Sequence, residues 1–254
     1  MNCFGQDTKA VLLVGGKGTR LQSVVSSVPK PLASVGDRPF LELLVRQLRS
    51  QGIRRLVMCT GYRAEEIGKS FGDGHTWDMA IEYSKEPHPL GTAGALKFAE
   101  PALQGASDFL VMNGDSFMEI DFRGLFQFHQ QSGGLATMAV VRMKNEMRYG
   151  TVETNPAGRV IGFAEKTGGG PEGLVNAGIY VFNRAIFKHI PEGPASLEKD
   201  VFPQILDCGV YAMEHHGVFI DIGIPEDYAR AQELYERLYE AAVRKGTARS
   251  QTDC

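Results

Sequence analysis

Ala10-Val11-Leu12-Leu13-Val14-Gly15-Gly16-Lys17-Gly18-Thr19-Arg20 decides the fold. Five apolar residues in a row, with no polar alternation, predict a strand buried on both faces, as in a parallel sheet covered by helices. The run ends in glycines. In an open parallel sheet ligands bind beyond the carboxyl ends of the strands, and a glycine turn there exposes backbone N–H groups without Cβ obstruction. Lys17 and Arg20 add cations for phosphate oxygens, Arg20 with a fork that engages two at once. The spacing is neither the dinucleotide fingerprint nor the P-loop, because no Lys-Ser or Lys-Thr pair follows the last glycine. On these residues alone a purely structural tight turn is the alternative.

Outward from that strand the pattern alternates. Apolar residues recur at helical spacing from Pro39 to Gln51, and Gly52 supplies a stop. Arg55–Cys59 reads as a strand, Ala64–Phe71 as a helix, Ala80–Ser84 as a strand, Thr92–Ala99 as a helix and Phe109–Met112 as a strand ending at Asn113-Gly114-Asp115. This rhythm predicts an α/β fold, a Rossmann-like, mostly parallel mixed sheet flanked by helices. After Gly133 the character changes. Leu135–Met143 and shorter runs near Gly150–Thr154, Arg159–Ala164 and Val175–Phe182 predict a smaller β-rich part of mixed sheet and hairpins laid against the first. Pro225–Arg244 reads as one amphipathic helix. The organisation expected is a single domain over 1–245, with halves at 8–133 and 134–245, and a polar tail at 246–254. No internal repeat is visible.

The chain has 254 residues, a net charge of −3 and 43% hydrophobic residues, enough to bury a substantial core. The near-neutral balance argues against a nucleic-acid partner held by general phosphate attraction. An anionic ligand must therefore meet a local cluster of cations and backbone donors. Cys3, Cys59, Cys208 and Cys254 show no paired spacing, which favours a reduced compartment. No cationic start precedes an apolar stretch within Met1–Lys9, and no run approaches the ~20 residues of a membrane span. A cytoplasmic protein with no membrane partner is expected; the sequence is also compatible with a homo-oligomer. His215-His216 lacks a third ligand at metal spacing and reads as a solvated turn.

Lys30 stands ten residues after Arg20, within Val28-Pro29-Lys30-Pro31-Leu32. The two prolines fix the backbone and disfavour a helix, so Lys30 reads as held in a rigid extended segment. Gly15–Arg20 followed by Pro29–Leu32 resembles the signature of the sugar-1-phosphate nucleotidyltransferases. Leu90-Gly91-Thr92-Ala93-Gly94-Ala95, Asn113-Gly114-Asp115, Glu165-Lys166, Asn176-Ala177-Gly178-Ile179-Tyr180 and Asp221-Ile222-Gly223 follow in the family's order, across roughly residues 10 to 230. The resemblance implies the nucleotide-diphospho-sugar transferase type of fold, with a sugar-binding second half.

It also implies roles. Arg20 would hold the departing phosphates, Lys30 the α-phosphate, and Asp115 and Asp221 a Mg²⁺ ion. Both aspartates end strand-like runs, so one edge of the sheet is expected to bring them together. Val14, Gly15, Gly16, Lys17, Gly18, Thr19, Leu90, Gly91, Thr92, Gly94, Asn113 and Gly114 would bind the nucleotide. Gly150, Glu165, Lys166, Asn176, Gly178 and Asp200 would meet the sugar phosphate. Tyr62 is either near the base or part of the core. No catalytic triad is required, because a phosphate monoester with second pKa ≈ 6 is already largely dianionic at neutral pH. Positioning and charge neutralisation supply the catalysis.

Leu21–Val28 and the ending Phe219–Tyr228 resemble the D-glycero-D-manno-heptose 1-phosphate guanylyltransferases of bacterial surface-polysaccharide synthesis, which implies GTP as donor. Mannose 1-phosphate guanylyl transfer, and uridylyl or thymidylyl transfer to another hexose phosphate, are the alternatives. Guanine recognition is expected from backbone groups around Leu90–Gly94. Val14 stands where the family usually has alanine. A non-catalytic nucleotide-sugar-binding subunit is the reading from another class; it predicts loss of Arg20, Lys30, Asp115 or Asp221, and all four are present.

Overall fold

A computed structural model of the chain describes residues 8–144, 151–164 and 172–244. In chain order the elements are β1 (Lys9–Leu13), β2 (Ser34–Val35), β3 (Arg38–Pro39), α1 (Phe40–Ser50), β4 (Arg55–Thr60), α2 (Ala64–Phe71), β5 (Ala80–Lys85) and α3 (Gly91–Phe98). There follow β6 (Asp108–Asn113), β7 (Ser116–Met118), α4 (Phe122–Ser132), β8 (Ala136–Met143), β9 (Thr151–Thr154), β10 (Val160–Ala164) and β11 (Gly173–Asn183). The last are β12 (Val210–His215), β13 (Phe219–Asp221), α5 (Pro225–Glu233) and α6 (Tyr235–Val243).

Nine strands form one sheet in the order β10, β9, β11, β6, β1, β4, β5, with β8 on β11 and β12 on β8. β1 pairs in parallel with β4 on one side and β6 on the other, Val11 facing Val57 and Val111. The chain runs from β1 out to β4 and β5, then returns through α3 to β6 across β1. That reversal makes the carboxyl end of β1 a topological switch point, where open α/β sheets bind ligands.

Burial on both faces explains the unbroken apolar run. Ala10, Leu12, Met58, Leu110 and Met112 enter one core with Leu41, Leu44 and Leu48 of α1. Val11, Val57 and Val111 enter the other with Ala93 and Leu96 of α3. The second core includes an aromatic group: Tyr180 packs on Phe182 and Phe202 with ring centroids 5.5 and 5.1 Å apart. Burying each such side chain contributes about 1.5–3 kcal/mol.

Several expectations are corrected. The β-rich second half expected against the first joins it edge to edge, since β11 pairs antiparallel with β6 and continues the same sheet. Between Asp115 and Gly133, a stretch to which the sequence reading assigned no element, lies α4, with Asp121 accepting from Arg123 N as N-cap and Gly133 closing the last turn. The helix expected over Pro225–Arg244 is two, parted at Leu234, after which Tyr235 brings its ring onto Gly36 and its hydroxyl to Asp37. His215 ends β12, paired in parallel with β8, rather than lying in a solvated turn. Its Nε2 is buried without a hydrogen bond, and burial pushes its pKa down to about 4. Asp115 and Asp221 do not share an edge of the main sheet; β13 pairs with β7 in a separate ribbon, Asp221 opposite Ser116. Lys30 is not extended: it opens a single 3₁₀ turn, Lys30–Leu32, for which Pro31 supplies a compatible φ. The Gly150–Thr154 run begins at Gly150, which lies outside the described residues, as do Glu165 and Lys166.

Candidate active site

A cavity of about 840 Å³ opens over the carboxyl ends of β1, β4, β5 and β6. Backbone bonds draw the loops together there. Val14 N donates to Cys59 O (2.9 Å), Tyr62 N to Gly15 O (3.2 Å), Glu86 N to Thr60 O (2.9 Å) and Gly114 N to Leu13 O (3.0 Å). Of the expected nucleotide group, Val14 to Thr19, Gly91, Thr92, Asn113 and Gly114 line the cavity, while buried Leu90 and Gly94 lie behind that wall. A Cβ added to Gly16 would meet nothing within 4 Å, so the turn faces open space on that side. Gly18 takes φ +60 and lies so close to Lys30 that an added Cβ would sit 2.6 Å from the lysine Cβ. The glycine turn thus packs on the stem that carries the expected α-phosphate cation.

The four charged residues converge. Lys30 Nζ lies 2.6 Å from Asp115 Oδ2, with the lysine side chain only 9% exposed. A methyl group placed on Gly223 would lie 2.6 Å from Asp221 Oδ1 and 3.6 Å from both Arg20 Nη2 and Lys30 Nζ. Ser116 Oγ donates towards Asp115 Oδ1 (3.4 Å) and Asp221 Oδ2 (3.2 Å), and Ile222 N donates to Asp115 O (2.9 Å). Burial pushes the Asp221 carboxyl up to about 6, and the Asp115 charge adds to the rise. Lys30, the Gly223 N–H and the Ser116 hydroxyl oppose it. The thiol of Cys59, also in the lining, is pushed up to about 12 by burial and is no nucleophile at neutral pH.

Three described residues of the expected sugar group lie elsewhere. Gly178, at φ +72, sits in a bulge where β11 departs from register with β8, and an added Cβ would strike Asn113 Nδ2 at 2.6 Å. Asn176 in the same bulge accepts from Gly178 N and donates to Tyr180 OH, both at 2.9 Å. Asp200 is exposed and its carboxylate accepts from Ser196 N at 2.7 Å, so the structure employs it to cap a turn. Neither Asn176 nor Asp200 lines the cavity.

Glu86 is the principal residue missed. It lines the cavity half-buried, Oε2 accepting from Leu90 N at 3.1 Å and Oε1 facing Gly15 and Gly61, where an added Cβ would press on it. Burial raises its pKa. The signal was present: Glu86-Pro87-His88-Pro89 directly follows a strand, and prolines stiffen it as they do Lys30. Tyr62 also lines the cavity and is exposed, not part of the core.

Fold and cleft define the class: a Rossmann-like α/β protein with a glycine-lined, charged cleft at the switch point of its sheet. The model of the nucleotidyl transferase family matches residues 9–237, and the chain belongs to that family. It is 40% identical over 226 residues to a D-glycero-alpha-D-manno-heptose 1-phosphate guanylyltransferase of Aneurinibacillus thermoaerophilus, covering 88% of this chain and 96% of that one. It is 37% identical over 225 residues to a mannose-1-phosphate guanylyltransferase of Mycobacterium tuberculosis, covering 87% of this chain. The chain spans 62–63% of the length of that and two further mannose-1-phosphate relatives. HddC from Yersinia pseudotuberculosis, solved in complex with GMP-PN, superposes with a TM-score of 0.80 at 32% identity, covering 90% of this chain and 99% of that one. No helix among the described residues is long and apolar enough to cross a membrane.

Proposed function

We propose that the protein transfers a guanylyl group from GTP to D-glycero-D-manno-heptose 1-phosphate, giving GDP-heptose and pyrophosphate for polysaccharide synthesis in the cytoplasm, where GTP is made. The observation that carries the reaction type is the convergence of Arg20, Lys30, Asp115 and Asp221 around Gly223. In the step, a sugar-phosphate oxygen bonds to the α-phosphorus, and the bond to the β-phosphate oxygen breaks with its electron pair leaving on pyrophosphate. Lys30 neutralises the α-phosphate and Arg20 the departing pair. The Gly15–Gly18 N–H groups orient the phosphate chain. Asn113 Oδ1, buried without a hydrogen bond, offers an acceptor to a ligand hydroxyl.

Asp115 and Asp221 fit Mg²⁺, which favours hard carboxylate oxygens and completes its shell with phosphates and waters. The raised Asp221 carboxyl beside a second carboxylate is the arrangement a divalent cation relieves. When bound, the ion supplies further charge neutralisation at the phosphates.

Glu86 supports guanine. That base carries adjacent N–H and NH₂ donors, and a carboxylate offers acceptors only. Uracil and thymine have a single ring N–H between two carbonyls, which a carboxylate repels. The 40% identical heptose-phosphate relative, matched over 96% of its length, supports the sugar. Mannose 1-phosphate is the second reading, on the 37% identical relative. The reaction class is tested by pyrophosphate release from GTP and sugar phosphate. It is expected to require Mg²⁺ and to be lost in Asp115→Asn and Asp221→Asn. Wild-type rates in both variants would refute the metal assignment.

A further inference from the structure

Glu198 lies in the π-helical turn Leu197–Val201, half-buried between the two halves. Its carboxylate gathers three hydroxyls: Oε2 accepts from Thr92 Oγ1 (3.0 Å) and Ser196 Oγ (2.8 Å), Oε1 from Tyr180 OH (3.2 Å). Each outer hydroxyl is fixed in direction by a second bond. Thr92 Oγ1 accepts from Leu197 N (2.8 Å), and Tyr180 OH accepts from Asn176 Nδ2 (2.9 Å). The set needs an acceptor on both oxygens, which a glutamate side chain offers and a glutamine does not.

The two ends of this chain of bonds belong to different halves. Thr92 lines the cavity at the start of α3. Ala93 N and Gly94 N also donate to Ala195 O, at 2.9 and 3.3 Å, and Ala195 N to Leu90 O at 2.8 Å, so the whole start of α3 is buckled onto the segment carrying Glu198. At the other end Tyr180, fully buried, leads to Asn176 and the bulge of β11.

We infer that Glu198 is a positioning residue that sets the nucleotide loop through Thr92 and the sugar-phosphate side through Tyr180 and Asn176. The inference rests on the reading of the cavity as a nucleoside triphosphate site and on the sugar-phosphate role that the family resemblance implies for Asn176 and Gly178, the latter packed against Asn113 of the cavity wall. Three variants divide it. Glu198→Gln cannot accept on both sides, Tyr180→Phe cuts only the β11 side, and Thr92→Val cuts only the α3 side.

The test measures binding of GTP alone and of D-glycero-D-manno-heptose 1-phosphate alone by calorimetry, with melting temperatures recorded in parallel. Glu198→Gln is expected to weaken both ligands by about tenfold, the factor that 1.4 kcal/mol represents. Tyr180→Phe is expected to weaken the sugar phosphate by about fivefold or more with GTP held within about twofold, and Thr92→Val to do the reverse. A merely structural role would lower the binding-competent fraction and leave both affinities unchanged; that result, or unaltered binding in Glu198→Gln, overturns the inference. Wild-type protein that binds both ligands while the variants behave alike overturns the inference alone. Wild-type protein that binds neither overturns the site reading, and the inference with it.

Discussion

Two carboxylates show how single residues trade stability for chemistry. Asp221 has its pKa raised to about 6 from an ordinary 3.8. The native state therefore holds its proton more tightly than the unfolded chain. The stability this gives is complete below about pH 4 and is lost as pH rises through about 6. Above pH ~7 in EDTA, Asp221→Asn is expected to be more stable than the wild type by about 1–3 kcal/mol in urea unfolding, with the advantage shrinking under acid. Lower stability at neutral pH would contradict the charge account. Glu86 is the specificity counterpart. Glu86→Gln replaces an acceptor oxygen with a donor, and the kcat/KM advantage of GTP over UTP is expected to narrow by about tenfold or more. Because burial raises the Glu86 pKa, GTP affinity of the wild type should begin to fall, on acidification, at a higher pH than an exposed glutamate would give. An unchanged base preference in Glu86→Gln would sink the role. Lys30 and Arg20 were legible because a cation after a glycine or proline turn announces its purpose. Glu86 was overlooked because a carboxylate does not suggest a phosphate ligand, although a base has donors to satisfy.

At the scale of elements, local pattern carried the parallel half and long-range pairing decided the rest. β1, β4, β5 and β6 were legible because each is an apolar run bounded by turns, and α2 because its amphipathic spacing is complete within its own eight residues. The apolar run of β13 was legible too, but its three-residue partner β7 has too few side chains for a period, and it is their pairing that sets Asp221 beside Ser116. The bulge of β11 was equally hidden. Its Asn176–Tyr180 stretch matches a motif in sequence, but only the pairing with β8 reveals the slipped register and the left-handed Gly178. Gly178→Ala is therefore expected to cost about 1–3 kcal/mol of stability, by combining an unfavourable φ with a clash at Asn113. Urea unfolding checks the magnitude. A cost near zero would mean that the bulge relaxes freely and does not hold Asn113 in place.

For the whole molecule, the consequence of topology is that one continuous sheet bears both halves of the chain. β6 supplies Asn113 and leads into Asp115, while its antiparallel neighbour β11 brings Gly178 against that same asparagine. The α/β class was readable from the rhythm of the first half. The continuity of the sheet was not, because antiparallel pairing between strands some 70 residues apart leaves no local trace. The central claim is guanylyl transfer to a manno-heptose phosphate, and a substrate matrix tests it most directly. Pyrophosphate release would be measured for GTP, UTP, dTTP, CTP and ATP, each against heptose and mannose 1-phosphates and other hexose 1-phosphates, with and without Mg²⁺. The prediction is Mg²⁺-dependent release with the highest kcat/KM for GTP and D-glycero-D-manno-heptose 1-phosphate. A preference for another base or sugar would contradict the substrate assignment, and no release from folded protein with any pair would contradict the reaction itself.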